Sequence, residues 1–393
     1  MSMLDFTNTE IAFKIRSNAE LRKAELLFRF VNNPTLVGLL GKMATCAVKF
    51  SIPIGWMVKP TLYAQFVGGE SLSGCASTAQ KLWKHKVSSI LDYSVEGKND
   101  EASIRSCYKE IMRSIEFAGK HPYVAFAVFK PTGIVRSDIL EKASSGQALS
   151  QHENELFQQF VKRVDEMCNK ASEVGVSILV DAEDFCYQQA IDDVVERMME
   201  RYNGEKATVY NTFQMYRTDR LDYLKELHKR ALEKDFVIGA KFVRGAYMEK
   251  ERERAALLGY PSPINPSKDI TDKMYNAALM FAVDNIGKIS IFAGTHNEDS
   301  IRLLVELTYK HSLSANDQRI WFSQLYGMSD NLSFNLAEEG FNVVKYLPYG
   351  PVKEVLPYLV RRARENTSVA GQTSRELNLV KQEISRRKNS KQW

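Results

Sequence analysis

The feature that most constrains the fold is an alternation that sets in after Lys86. Short β-branched or aromatic runs exchange there with longer amphipathic stretches. The runs are SSILDYSV, YVAFAVFK, VSILVDAE, TVYNTFQ, VIGAKFVRG, ISIFAGTH, RIWFSQLYG and FNVVKYLPYG, eight in all. Helical patterns such as Gln151–Val174, Gln189–Asn203, Asp219–Asp235 and Asn297–Ser312 separate most of them. Parallel strands need a crossover between them, so this alternation predicts an α/β chain with a parallel sheet. Eight units over about 300 residues fit a (β/α)8 TIM-type barrel, with an open doubly wound sheet as the alternative. Residues 1–85 read as an N-terminal helical region, because IAFKIRSNAELRKAELLFRFV spaces its apolar residues by three and four. Residues 86–393 form the expected barrel with a basic, helical C-terminal tail.

The polar residues of the eight runs sit at their C-terminal ends. Lys130 ends FAVFK, Asp181 and Glu183 end ILVDAE, Gln214 ends YNTFQ, and Arg244 ends FVR. Thr295 and His296 end FAGTH, Gln324 lies in WFSQ, and Tyr346 ends VVKY. A barrel brings these ends to one face, the face where barrel enzymes carry their chemistry. The pattern therefore points to an enzyme. No GxGxxG follows a strand and no phosphate loop is present, so a phosphate-bearing cofactor would be held by side chains and strand-end amides. Lys241, Arg244, His296 and Arg362 can supply the positive charge. Asp181 and Glu183 also raise the alternative of a carboxylate-bound metal and a barrel lyase, although no HxH or HExxH accompanies them.

The segment YLPYGPVKEVLPYLVRRARENTSV carries Arg361 and Arg362 on a helix after Pro357. Adjacent helical residues point about 100° apart, so the pair can hold one anion between them or serve two. Guanidinium forks suit carboxylate and phosphate. Tyr346, Tyr349 and Tyr358 nearby suit a small, partly apolar pocket rather than a solvated helix face.

Charge and cysteine usage narrow the setting. Five cysteines without a CxxC pair argue against a disulfide framework and for a reducing compartment. Arg361–Trp393 holds nine Lys/Arg against three Asp/Glu, and Ile11–Tyr63 holds eight against two. Those basic stretches are either solvated helix faces or contacts with an anionic membrane surface. A non-catalytic membrane or assembly protein is the corresponding alternative function. The apolar window Thr35–Val58 is broken by Lys42, Lys49 and Pro53, which disfavours a spanning helix. Met1–Glu10 has no signal-peptide character and no transit peptide is visible. The expected location is cytoplasmic with peripheral membrane contact, or mitochondrial if the source is eukaryotic.

KFVRGAYMEKERERAALLGYPSPINPS, FAGTHNEDSIRLL, FSQLYGMSD and YLPYGPVKEVLPYLVRRARENTSV, in that order, resemble the successive signatures of proline dehydrogenase. KPTGI, LVDAED and YAQFVGGES match as well, and the ERERAALLGY…INP wording is closer to stand-alone, eukaryotic-type members than to bifunctional bacterial ones. The resemblance implies a distorted (β/α)8 barrel that binds FAD and oxidises L-proline to Δ1-pyrroline-5-carboxylate, the first step of proline catabolism. Electrons would pass to a membrane quinone; no nucleic acid is involved. Carried over by position, Arg361 and Arg362 would hold the substrate carboxylate, with Lys130 and Asp181 beside them. Leu325, Tyr346 and Tyr358 would pack on the ring, and Ala246 and Tyr247 would complete the pocket. Gln214, Lys241, Arg244, Thr295, His296, Gln324 and Glu365 would bind FAD. Lys241 and Met248 stand where bifunctional members carry Arg and Trp, so flavin contacts there would differ. Hydroxyproline is the alternative substrate on the same scaffold.

Overall fold

The computed structural model describes residues 4–31, 59–94, 97–356, 358–359, 372–390 and 392–393. Helices α1 (Thr9–Ala12), α2 (Asn18–Val31) and α3 (Leu72–Trp83) precede β1 (Val87–Tyr93). There follow α4 (Glu101–Lys120), β2 (Val124–Phe129), α5 (Ser137–Ser144), α6 (Gln151–Val174), β3 (Ser177–Val180), α7 (Phe185–Tyr202) and β4 (Val209–Gln214). Next come α8 (Arg220–Lys234), β5 (Ile238–Val243), α9 (Met248–Leu258), α10 (Lys268–Asp284) and β6 (Ile289–Gly294). Then α11 (Glu298–Lys310), β7 (Ile320–Leu325), α12 (Asp330–Glu338), β8 (Val343–Tyr349) and α13 (Gln372–Asn389) complete the described chain.

The strands close into a barrel in the order β1 to β8, each falling within one of the eight runs read from the sequence or one residue outside it. The expected α/β barrel is what the chain forms. Two compact units make up the chain, residues 1–94 with 324–393, and residues 95–323.

In the second unit, β2 through β7 pair in parallel, with Thr212 opposite Lys241 and Lys241 opposite Phe292. The Phe126 ring meets Tyr210 and Phe292 edge-on at 5.7 and 5.1 Å. These residues lie on β2, β4 and β6, which are not neighbours, so the rings fill the barrel interior as a layer from alternate strands. Local sequence fixes the crossovers. Ser150 and Glu153 make a reciprocal capping box at the start of α6, and Gly175 ends that helix in the left-handed conformation.

In the first unit, β1 pairs β8 from Val87–Val343 to Tyr93–Tyr349. Its core joins Phe13, Leu21 and Phe28 of the N-terminal helices to Leu377, Val380 and Ile384 of α13. The basic end of α13 is committed within the unit. Arg387 donates to the carbonyls of Phe13 and Arg16 and to Asn18, and both Arg386 and Arg387 bond the buried Glu383. No helix among the described residues is long and apolar enough to cross a membrane.

Candidate functional site

The C-terminal ends of β2, β3 and β5 bring three charged side chains together. Asp181, one residue past β3, receives Lys241 of β5 at 2.5 Å on Oδ1 and Lys130, at the end of β2, at 3.4 Å on Oδ2. All three side chains are at most 15% exposed, so the pairings are shielded from water and salt. Two ammonium groups on one carboxylate leave the cluster formally positive. Glu183, two residues on, does different work. Its oxygens accept from the Thr132 amide at 2.8 Å and hydroxyl at 2.5 Å, which anchors the turn that follows Lys130.

A second set forms past β5 and β6. Arg244 donates to Asp272 of α10 at 2.6 Å, to the Thr295 hydroxyl at 2.7 Å and to the Ser300 hydroxyl at 3.0 Å. Its guanidinium lies over the Tyr275 ring at 4.4 Å. Burial pushes the Asp272 carboxyl up, but hydrogen bonds and charge from Lys268 and Arg244 outweigh it and hold the group below the usual carboxylate range. Arg244 is therefore fixed, with a rigid guanidinium edge at the strand ends. His296 follows Thr295 directly, ahead of the α11 cap Asn297. Gln214, ending β4, is buried, and its Oε1 has no hydrogen-bond partner in the described structure.

The loop carrying Ala246 and Tyr247 turns at Gly245, whose φ of +130° is open to glycine but strained for other residues. A Cβ there would lie 2.4 Å from the buried Tyr216 ring. Gly245→Ala is expected to cost at least about 2 kcal/mol of stability and to displace the loop. A thermal melt compared with that of Gly287→Ala, whose Cβ meets nothing within 4 Å and whose backbone is not left-handed, checks it. Equal melting temperatures would refute the strain.

In the first unit, Gln324 is buried at the end of β7 and accepts from the Ser333 hydroxyl at 2.8 Å. Leu325 is half-buried beside it, and the next amide, Tyr326, donates to the carbonyl of the buried Tyr346 at 2.9 Å. Tyr358 is buried in the apolar core of this unit. Arg361, Arg362 and Glu365 lie outside the described residues.

The structure thus gathers Lys130, Asp181 and Lys241, and separately Arg244 and Thr295. Sequence reasoning missed Asp272 and Ser300, helix residues without a motif signal. Glu183, a strand-end polar residue and metal candidate in the sequence, bonds the Thr132 amide and hydroxyl. Among the described residues no three His, Cys, Asp or Glu side chains converge to hold a metal ion.

Residues 75–375 match the proline dehydrogenase family. The chain belongs to that family. It is 34% identical over 381 residues to the mitochondrial proline dehydrogenase 1 of Dictyostelium discoideum, covering 86% of this chain and 67% of that protein. It is 41% identical over 230 residues to the human mitochondrial proline dehydrogenase 1, covering 58% and 38%. The carbapenem antibiotics biosynthesis protein CarD of Pectobacterium carotovorum is 35% identical over 322 residues, covering 82% and 83%. Proline utilization A from Bdellovibrio bacteriovorus, inactivated by N-propargylglycine, shares the fold with a TM-score of 0.69 at 20% identity, over 93% of this chain and 37% of that one. This member of the proline dehydrogenase family is an oxidoreductase.

Proposed function

We propose that the chain uses FAD to oxidise L-proline to Δ1-pyrroline-5-carboxylate. The observation that carries the reading is the buried cluster in which Lys130 and Lys241 share Asp181. Residues of the chain also suit a flavin. The unpartnered Gln214 Oε1 offers an acceptor for an N–H of the isoalloxazine, and Lys241 and Arg244 offer cations for its oxygens and for phosphate. Thr295, His296, Gln324 and Glu365 complete the set that we assign to FAD. FAD held there would supply the hydride acceptor for oxidation at the proline C5.

The chain's own residues bind and orient. Arg361 and Arg362 take the substrate carboxylate, and anchoring that side of the small ring fixes where the reacting carbon on its other side stands. Leu325, Tyr346, Tyr358, Ala246 and Tyr247 pack on the ring and exclude water. The net positive Lys130–Asp181–Lys241 cluster attracts the carboxylate. The same charge disfavours the substrate ammonium, so the ring nitrogen more readily gives up its proton and supplies the electron pair that oxidation requires.

The electron acceptor we assign is a membrane quinone, reached by peripheral contact with the bilayer. Mitochondrial relatives support an organellar setting if the source is eukaryotic. The relative named for antibiotic biosynthesis leaves open a second use of the product, in synthesis rather than catabolism. Purified protein supplied with FAD should reduce a redox dye with L-proline, and do so with higher kcat/KM than with hydroxyproline. Dye reduction absent with both substrates would sink the assignment; a preference for hydroxyproline would change the substrate.

A further inference from the structure

The loop between β7 and α12 carries Leu325 at its start and is held by buried charge rather than by apolar packing alone. Gly327 has φ +80° with its Cα so close to the Gln65 backbone that a Cβ would fall 2.0 Å from that carbonyl oxygen. Ser329 is left-handed at φ +50° without being glycine. Such a backbone persists only where its surroundings over-determine it.

Four charged side chains do so. Lys345 of β8, fully buried, donates to the Met328 carbonyl at 2.5 Å, reaches the Leu325 carbonyl at 3.5 Å and pairs with Asp330 at 2.9 Å. Arg16 closes on the other side of Asp330 at 3.1 Å. Glu376 of α13 accepts from the Ser329 amide at 2.7 Å and hydroxyl at 3.2 Å. The adjoining cavity, lined by Arg16, Gln65, Asp330 and Glu376 among others, is about 10 Å³. That is room for about one water, so the cluster is scaffolding and no ligand site.

We infer that Glu376 is a positioning residue for the substrate pocket: α13 reaches from the end of the chain to the β7 loop and sets where Leu325 stands. The inference rests on the reading that Leu325 packs on the proline ring. Ser329 is four residues from Leu325, and the strained backbone between them transmits a shift at the Ser329 amide. Glu376 is the one contact of this loop that belongs to the C-terminal helix among the bonds described. Its carboxylate also balances the cluster, which without it would hold two cations against Asp330 alone.

The test uses the full chain loaded with FAD, and two variants. Glu376→Ala removes the acceptor, and Glu376→Gln keeps an oxygen for the Ser329 amide while removing the charge. Glu376→Ala should raise KM for proline on the order of tenfold with kcat changed far less, and weaken binding of cyclopentanecarboxylate, measured by calorimetry, by a similar factor. Glu376→Gln should restore most of both. Lys381→Ala, exposed on the same helix, should match the wild type. A wild-type protein inert toward proline would void the reading beneath the inference. Normal wild-type turnover together with an unchanged KM and Kd in folded, flavin-loaded Glu376→Ala overturns the inference alone. If the alanine variant does not fold, Glu376→Asp decides: its carboxylate is one methylene short of Ser329, so an unchanged KM and Kd overturn the inference and a raised KM supports it.

Discussion

Asp181→Ala is expected to lower kcat/KM for proline on the order of 1,000-fold, about 4 kcal/mol of transition-state stabilisation. Two causes act in the same direction. Lys130 and Lys241 would lose the carboxylate that now lies 3.4 and 2.5 Å from them. Removing one partner of a buried ion pair costs about 3–5 kcal/mol, because the remaining charge loses compensation that desolvation makes necessary. Both ammonium groups would then relax away from the strand ends, or take up solvent, and lose their place in the proposed site. Asp181→Asn, similar in shape but uncharged, should fall almost as far. Steady-state kinetics with a redox dye measures the effect, and bound flavin per chain separates lost chemistry from lost cofactor. Full activity in Asp181→Asn would show that the negative charge is dispensable.

The second large effect is on flavin retention. Arg244→Met keeps an unbranched apolar stem, but loses the guanidinium that lies over Tyr275 and its bonds to Asp272, Thr295 and Ser300. Asp272 would keep Lys268 as its cation but lose the guanidinium that helps hold its carboxyl low, so part of that stabilisation goes. The sign follows from the direction of the shift. A carboxyl held low contributes stability above its unfolded value and loses it as pH falls, so the variant should differ from wild type more at neutral than at acidic pH. With the fixed cation gone, the affinity for FAD should drop by at least about 100-fold, since charge-assisted bonds to phosphate or flavin oxygens are worth about 1.5–3 kcal/mol each. The ratio of flavin to protein after gel filtration reads this out. Stoichiometric flavin in Arg244→Met would remove Arg244 from the cofactor site.

The barrel was legible because its signal is repeated. Runs such as VSILVDAE and ISIFAGTH are short, apolar and bounded by polar residues, and between them lie helices with clear caps. Burial on both faces of a parallel strand demands that texture, and eight repeats make it hard to mistake. The placement of charged and polar side chains was legible where they break the apolar pattern at a strand end, as at Lys130, Asp181, Gln214 and Arg244. It was not legible where support comes from helices. Asp272 stands among polar residues in KDITDK, and only its contact with Arg244 distinguishes it.

Lys345 carried a signal that went unread. A lysine in the middle of a strand buried throughout must find an anion and carbonyls, and here it finds Asp330 and Met328. The basic tail illustrates the opposite case. Composition alone suggests a solvated or membrane-facing surface, yet Arg386 and Arg387 both bond Glu383, and Arg387 also donates to the Phe13 and Arg16 carbonyls that follow the first helix. Charge counts do not see a partner that is 370 or so residues away in sequence.

The most direct measurement is the visible spectrum of the FAD-loaded protein under anaerobic conditions, before and after L-proline. The oxidised flavin bands should bleach on addition of proline and return when a quinone is supplied. Oxidised bands that persist under saturating proline, with flavin demonstrably bound, would contradict the assignment.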